Sequence, residues 1–381
     1  MDTPHGNGVT TFKGYKLNFI IPDATIVKSR AFIGGNMSDL VKRAKSNGTP
    51  LIDGNQVTFV WLGKTAPQLF SDWLDWDETK EGISLNETEP GLWTYTCKLP
   101  SKAYLEYRFF NGKEFVEDPM NPHKVYNGIN GYNNTFSMPK ALISPWIKPQ
   151  KGSMQGKLSQ HVIEDEGLII GLKRKVYLYQ PPAKKPAALL VVWDGPDYLK
   201  RGGIIPIVEN LMAAGKIPPL ALALLDNAHA SRMIEYDCSE VAILMLTQLI
   251  IPLAQKNLNI LNIKKNPGAF GVLGASMGGI MAAYTGVRLP HIFGHILSQS
   301  GAFILWDSKP VIWELIENQL TLPLDFWLNI GTFDFLYQAN KSFRTLLDQK
   351  GYAFMYKEYA GGHNYTSWRN ELAEGLIYQF G

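Results

Sequence analysis

The chain has 381 residues, 45% of them hydrophobic and 19% charged, a composition that can bury substantial cores and excludes an intrinsically disordered protein. Its 37 Lys and Arg against 34 Asp and Glu leave a net charge of +3, and like charges form no extended block, so nucleic acid is not an expected partner. Cys97 and Cys238 lie far apart without metal or redox spacing, which argues against a disulfide framework, a zinc site or any other metal, and for a reducing compartment and no cofactor.

The first twenty residues carry one short apolar run, Leu17 to Ile21, without the cleavage site of a secretory signal. From there to about residue 145 aromatic and β-branched residues alternate over short stretches: Val57 to Trp61, Leu92 to Thr96 and Tyr104 to Phe109. Asn111-Gly112-Lys113 has the residues of a tight hairpin turn, and Asn133-Asn134 precedes another short strand. Residues 1–145 are therefore expected to form an all-β, immunoglobulin-like sandwich, with a helical preface around Ser38 to Ala44. Ser144 to Ser153, rich in Pro, Gly and Lys, reads as the linker.

Residues 146–381 change pattern. Short apolar runs at Leu189 to Trp193, Leu220 to Leu225, Ala269 to Leu273, His295 to Leu297 and Phe326 to Ile330 alternate with helical stretches such as Ile205 to Ala214 and Ile280 to Val287. Continuous apolar strands separated by helices predict a parallel sheet covered on both faces, a three-layer α/β/α domain. The stretch Val241 to Ala254 is broken by Thr247, Gln248 and Pro252 and is shorter than the ~18 residues a membrane span needs. It reads as a buried helix, so no membrane association is expected, and a cytoplasmic location is.

Gly274-Ala275-Ser276-Met277-Gly278 contains G-x-S-x-G, a pattern that glycine-rich chains also produce by chance. The context adds weight, because an apolar strand runs into it and a helix runs out, the setting of a nucleophile elbow. Ser276 is then the candidate nucleophile, the other reading being a helix-capping serine. In this strand-turn-helix class the order is serine, acid, histidine. That order sets aside His5, His123, His161 and His229, and His291 and His295 follow Ser276 too closely. His363, on a glycine loop before the last helical stretch, is the candidate base. Asp334 follows a strand ending in a glycine turn and is the best acid, although a loop-capping role also fits; Asp307 lacks such a strand and Asp325 precedes one. Met277 N–H supplies one oxyanion donor, and Gly195, after the strand ending at Trp193, is the candidate second donor because no side chain would obstruct a substrate.

Taken in order, Gly48-Thr49-Pro50-Leu51, Asp118-Pro119-Met120-Asn121-Pro122, Trp193-Asp194-Gly195, Ala214 to Pro219, Arg232-Met233-Ile234-Glu235-Tyr236, the serine motif, Leu297 to Gly301 and Gly361 to Arg369 resemble the enterochelin (ferric enterobactin) esterases. The resemblance implies a sandwich that helps cover the site, an α/β-hydrolase domain, and hydrolysis of a ferric catecholate siderophore in the cytoplasm. It implies Ser276 and His363 as the reacting pair, whereas members of that family vary at the position of Asp334 and some work as a dyad; Pro196 is a further departure. It also brings Trp193, Asp194 and Arg232 forward as substrate-binding residues. Arg232 and Glu235 have a second reading, a local ion pair three residues apart, and Trp73 and Trp76 read either as packing or as stacking on catecholates. Two other functions share the motifs: an esterase or acyltransferase acting on another acyl or phenolic ester, and a non-catalytic siderophore- or glycan-binding protein.

Overall fold

A computed structural model describes residues 37–381 apart from Asp75, 77–79, Asn130, Lys151, Ser153, Met154 and Trp306; the Leu17 to Ile21 run lies outside the described residues. The chain opens with α1 (Met37–Asn47), β1 (Leu51–Asp53), β2 (Gln56–Leu62), β3 (Gln68–Ser71), β4 (Ile83–Ser84) and β5 (Asn86–Glu89). It continues with β6 (Leu92–Lys98), β7 (Tyr104–Phe110), β8 (Phe115–Val116), β9 (Lys124–Tyr126) and β10 (Tyr132–Ser137). Among the described residues these strands form two antiparallel sheets, ordered β1-β2-β6-β5 and β4-β3-β7-β10-β9, with β8 paired to β7 through the expected Asn111-Gly112-Lys113 turn. Val57 and Phe59 from one sheet and Leu69, Tyr107 and Phe109 from the other close on a single apolar core. Phe59 meets Tyr107 edge-on at 5.0 Å between centroids, a contact that adds about 0.5–1.5 kcal/mol to simple burial.

The second region runs β11 (Lys157–Glu164), β12 (Lys173–Gln180), β13 (Ala188–Val192), α2 (Gly195–Lys200), α3 (Ile204–Ala213), β14 (Leu220–Leu225), α4 (Arg232–Tyr236), α5 (Glu240–Met245) and α6 (Ile251–Asn257). Then follow β15 (Phe270–Ala275), α7 (Met277–Arg288), β16 (Phe293–Gln299), α8 (Ile312–Asn318), β17 (Asp325–Gly331), α9 (Tyr337–Gln349), β18 (Ala353–Tyr359) and α10 (Tyr365–Phe380). The strands form one sheet ordered β11-β12-β14-β13-β15-β16-β17-β18. One apolar core on one face draws on α5, α7, α8 and α9, and a second on the other face on α3 and α10, which makes three layers.

The structure differs from two of the expectations. The sheet is mixed: β11 pairs antiparallel with β12, and β12 with β14, while the rest is parallel. The sequence does not signal the β11–β12 hairpin because β11 lies at the edge and exposes Leu158 and Val162, so its apolar residues do not form a buried run. Within the expected linker, Trp146 and Lys148 are tied to the second region, Asn210 on α3 donating to both carbonyls at 2.8 Å. The Val241 to Ala254 stretch is α5 and α6 joined by a π-helical turn, Leu246–Ile250, and Val241 and Leu244 are exposed. Pro252 has no N–H for the ladder, a local cause for that widening. Among the described residues no single helix is long and apolar enough to cross a membrane.

Candidate active site

Ser276 follows β15 directly and sits at φ 56, ψ −122, a conformation costly to a non-glycine residue by about 1–3 kcal/mol. The turn closes because a Cβ on Gly274 would lie 2.0 Å from the Gly278 carbonyl oxygen, so only glycine lets strand and helix approach this far. Backbone bonds hold the strained residue: Ser276 N–H donates to Gln299 O at 2.9 Å, and Ala302 N–H donates to Ser276 O at 3.0 Å. Among the described residues the hydroxyl of Ser276 makes no hydrogen bond, and Met277, first in α7, has a backbone N–H with no backbone acceptor. Asp194 (φ 54) and Ser300 (φ 47), after the flanking strands β13 and β16, are also left-handed, so strain gathers at the carboxyl edge of three neighbouring strands.

The structure brings Asp334 and His363 together at that same edge, after β17 and β18. Asp334 Oδ2 lies 2.9 Å from His363 Nδ1, and its Oδ1 accepts from Leu336 N–H at 2.9 Å, which fixes the carboxylate. The Asp334 side chain is fully buried and that of His363 is 17% exposed, leaving the imidazole reachable. The ring lies 4.6 Å from Phe335 and 4.9 Å from Trp368 between centroids, and Trp368 Nε1 donates to Ser300 Oγ at 2.9 Å. With Nδ1 facing Asp334, Nε2 is the nitrogen left to take a proton. Asp325 belongs to the opposite end of β17, where its carboxylate accepts from Tyr378, and His295 Nδ1 is paired with Gln379.

The other expected site residues are placed differently. Trp193 is 0% exposed, with its ring edge-on to Tyr236 at 5.1 Å, so it packs beneath α4 as a core residue. Asp194 is buried too: Arg232 Nε reaches Oδ1 at 2.7 Å, Arg232 Nη2 reaches Oδ2 at 2.5 Å, and Asn227 also donates to Oδ1. Both of its oxygens are therefore engaged within the protein. Arg232 therefore does not pair with Glu235, contrary to the local ion-pair reading. Glu235 instead binds Arg174 on β12 at 2.8 Å and accepts from Ala228 N–H at 2.9 Å. Gly195 begins α2, and its N–H has no backbone acceptor among the described residues, but a Cβ there would fall 2.5 Å from the Leu224 backbone. Close packing on β14 by itself requires glycine at this position. Pro196 fits the first turn of α2, where an N–H would be unpaired anyway.

A group of residues at the seam between the two regions went unread in the sequence. Asp72, next to β3, is buried against Gly362 and Asn364, the neighbours of His363. Burial, then the charge of Glu106, pushes its carboxyl well up. Burial raises Glu106 to about 7, partly opposed by Asn133 and then Arg201. Of the two tryptophans in this segment, Trp73 packs on Phe59 in the sandwich core, and Trp76 Nε1 donates to Asp72. Only a buried carboxylate, which the linear pattern does not distinguish from a surface one, identifies Asp72.

Residues 169–379 match the profile of the esterase family described as "Putative esterase". An iron(III) enterobactin esterase of Escherichia coli O6:H1 strain CFT073 is 24% identical over 272 residues, covering 69% of this chain and 66% of that protein. An iron(III) salmochelin esterase of the same strain is 23% identical over 399 aligned positions, covering 90% and 93%. Among solved structures, the enterobactin esterase of Shigella flexneri, determined in the presence of enterobactin, superposes with TM-score 0.69 at 20% identity over 85% of this chain and 92% of its own. At that identity the likeness shows a shared fold.

Proposed function

The chain belongs to this esterase family, and we propose that it is a serine esterase that hydrolyses the ester bonds of a catecholate siderophore such as ferric enterobactin in the cytoplasm, releasing iron. The observation that carries the chemistry is the strained Ser276 elbow on the same sheet edge as the His363–Asp334 pair. The substrate rests on the relatives' named substrates and on the motifs shared in order along both regions.

In this reading His363 Nε2 takes the proton of Ser276 as Oγ attacks the ester carbonyl, and Asp334 holds the imidazole and the positive charge it acquires. The N–H groups of Met277 and Gly195 receive the oxyanion, each contributing roughly 3–4 kcal/mol of transition-state stabilisation. The imidazolium returns its proton to the leaving serine hydroxyl, and water then resolves the acyl-enzyme by the same base. We assign Arg232 to holding Asp194, and through it the turn that carries Gly195, rather than to holding substrate. We place the domain boundary at residue 145, with an immunoglobulin-like sandwich before it and the α/β-hydrolase domain, 146–381, after it.

The test supplies ferric and iron-free enterobactin to the full chain and follows release of 2,3-dihydroxybenzoyl-serine. Release is expected, with Ser276→Ala slower on the order of a millionfold. Turnover of simple esters alone would overturn the siderophore reading, and unimpaired turnover by Ser276→Ala the nucleophile.

A further inference from the structure

Asp72 belongs to the N-terminal sheets by sequence, yet its carboxylate is built into the loop that carries His363. Oδ1 accepts from Trp76 Nε1 at 3.1 Å. Oδ2 accepts from the Glu106 backbone N–H at 2.8 Å and from the Asn364 side-chain amide at 3.3 Å. The same Asn364 caps α10 by accepting from Ser367 N–H at 2.9 Å, so one amide joins Asp72 to the helix that follows His363. On the other side of His363, a Cβ on Gly362 would fall 2.2 Å from Asp72 Cγ. Further back, Tyr104 N–H on β7 donates to Ala360 O at 3.0 Å, and Tyr104 bridges Gly361 as if adding a strand residue. The opposite flank of the loop is held by Phe333 N–H donating to Gly361 O at 3.1 Å, beside Asp334.

We propose that Asp72 is a positioning residue for His363: the N-terminal sheets grip residues 360–364 from one side as the Asp334 turn grips them from the other, and the base is held in register only by both. A base must stay within a fraction of an ångström of its working place, and a displacement near 1 Å costs about a hundredfold in rate. The three atoms nearest a Cβ built on Gly362 all belong to Asp72, so this side chain is what meets that face of the loop. The burial that lifts the Asp72 carboxyl is consistent with a group whose position is imposed by its neighbours. The inference rests on the reading of His363 as base.

The experiment compares full-length wild type, Asp72→Ala, Asp72→Asn, Asn364→Ser and His363→Ala on a small activated ester, p-nitrophenyl acetate. It also follows fluorophosphonate labelling of Ser276 to completion. Asp72→Ala is expected to lower kcat and the labelling rate about a hundredfold with KM within about threefold, while labelling still ends at one group per chain. Asp72→Asn is expected to recover to within about tenfold of wild type. Its carbonyl oxygen can still accept from Glu106 N–H and Asn364, and only the Trp76 contact is lost. Asn364→Ser keeps a good helix cap but drops the amide to Asp72, so it is expected to slow labelling about tenfold in a folded protein, which covers the case in which Asp72→Ala misfolds. Wild-type rates in Asp72→Ala and Asn364→Ser alongside an inactive His363→Ala would overturn the inference and leave the base reading intact. A loss confined to the labelling end point, which reports only unfolded chains, would also overturn it. An active His363→Ala would overturn both.

Discussion

At the scale of single residues, the site is made by groups held where they would not sit unaided. Ser276 keeps φ 56 because the Gln299 carbonyl and Ala302 N–H bond its backbone on both sides. Asp334 cannot turn away from His363 because Leu336 N–H occupies its other oxygen. Asp334→Asn preserves shape but loses the charge that stabilises imidazolium, so kcat for ester hydrolysis is expected to fall about 10⁴-fold, less than for Ser276→Ala, in steady-state assays. Glu106 supplies a pH-dependent effect. Burial lifts its pKa from 4.5 to about 7, so between those values the native state binds more protons than the unfolded one, and stability falls as pH rises through that window. Glu106→Gln, which stays neutral, is expected to leave the melting temperature near wild type at pH 5 and to raise it at pH 8. An equal shift at both pH values would contradict the buried charge.

At the scale of elements, one buried ion pair and one half-buried pair, Arg232 with Asp194, tie α4 to the sheet behind the site. Arg174 on β12 and Glu235 on α4 are 2% and 4% exposed at the side chain and lie 2.8 Å apart. Removing one partner leaves the other buried and unpaired, so Arg174→Ala is expected to cost about 3–5 kcal/mol in urea unfolding, far more than a surface pair. Loss of α4 order would also free Arg232 from Asp194, since Arg232 is the first residue of that helix. The elements most legible in the sequence are those with unambiguous apolar patterning: β2, β6 and β7 in the first region, β13 to β17 in the second, and the hairpin after Phe110. The β11–β12 hairpin is not, because an edge strand with one solvated face carries no buried run. The π-helical turn between α5 and α6 is not legible either, since backbone bonding near Pro252, not composition, decides it.

At the scale of the whole molecule, hydrogen bonds join the two regions next to the loop that carries His363. The N-terminal sheets reach the hydrolase region at Tyr104, Asp72 and Asn127, whose carbonyl accepts from Arg201 Nη2 at 2.8 Å. A net charge of +3 spread over 381 residues gives little long-range field, so an anionic substrate would be met locally. Raising NaCl from about 50 to about 500 mM is therefore expected to change kcat/KM for ferric enterobactin by less than about threefold, where steering by a strongly charged surface would produce a steeper fall.

The sequence by itself determined the strand and helix alternation, the elbow at Ser276, and the candidacy of His363 and Asp334. Each of these is written in local periodicity or in chain order, and local sterics are enough to express them. Tertiary structure alone decided what the remaining residues do. Trp193 and Asp194, adjacent to the Gly195 turn, proved to be core and counter-ion, Arg232 chose Asp194 over its helical neighbour Glu235, and Asp72 came to rest against the loop of a histidine nearly three hundred residues away. Burial and long-range pairing set those roles, and the identity of a residue does not reveal which partner will desolvate it.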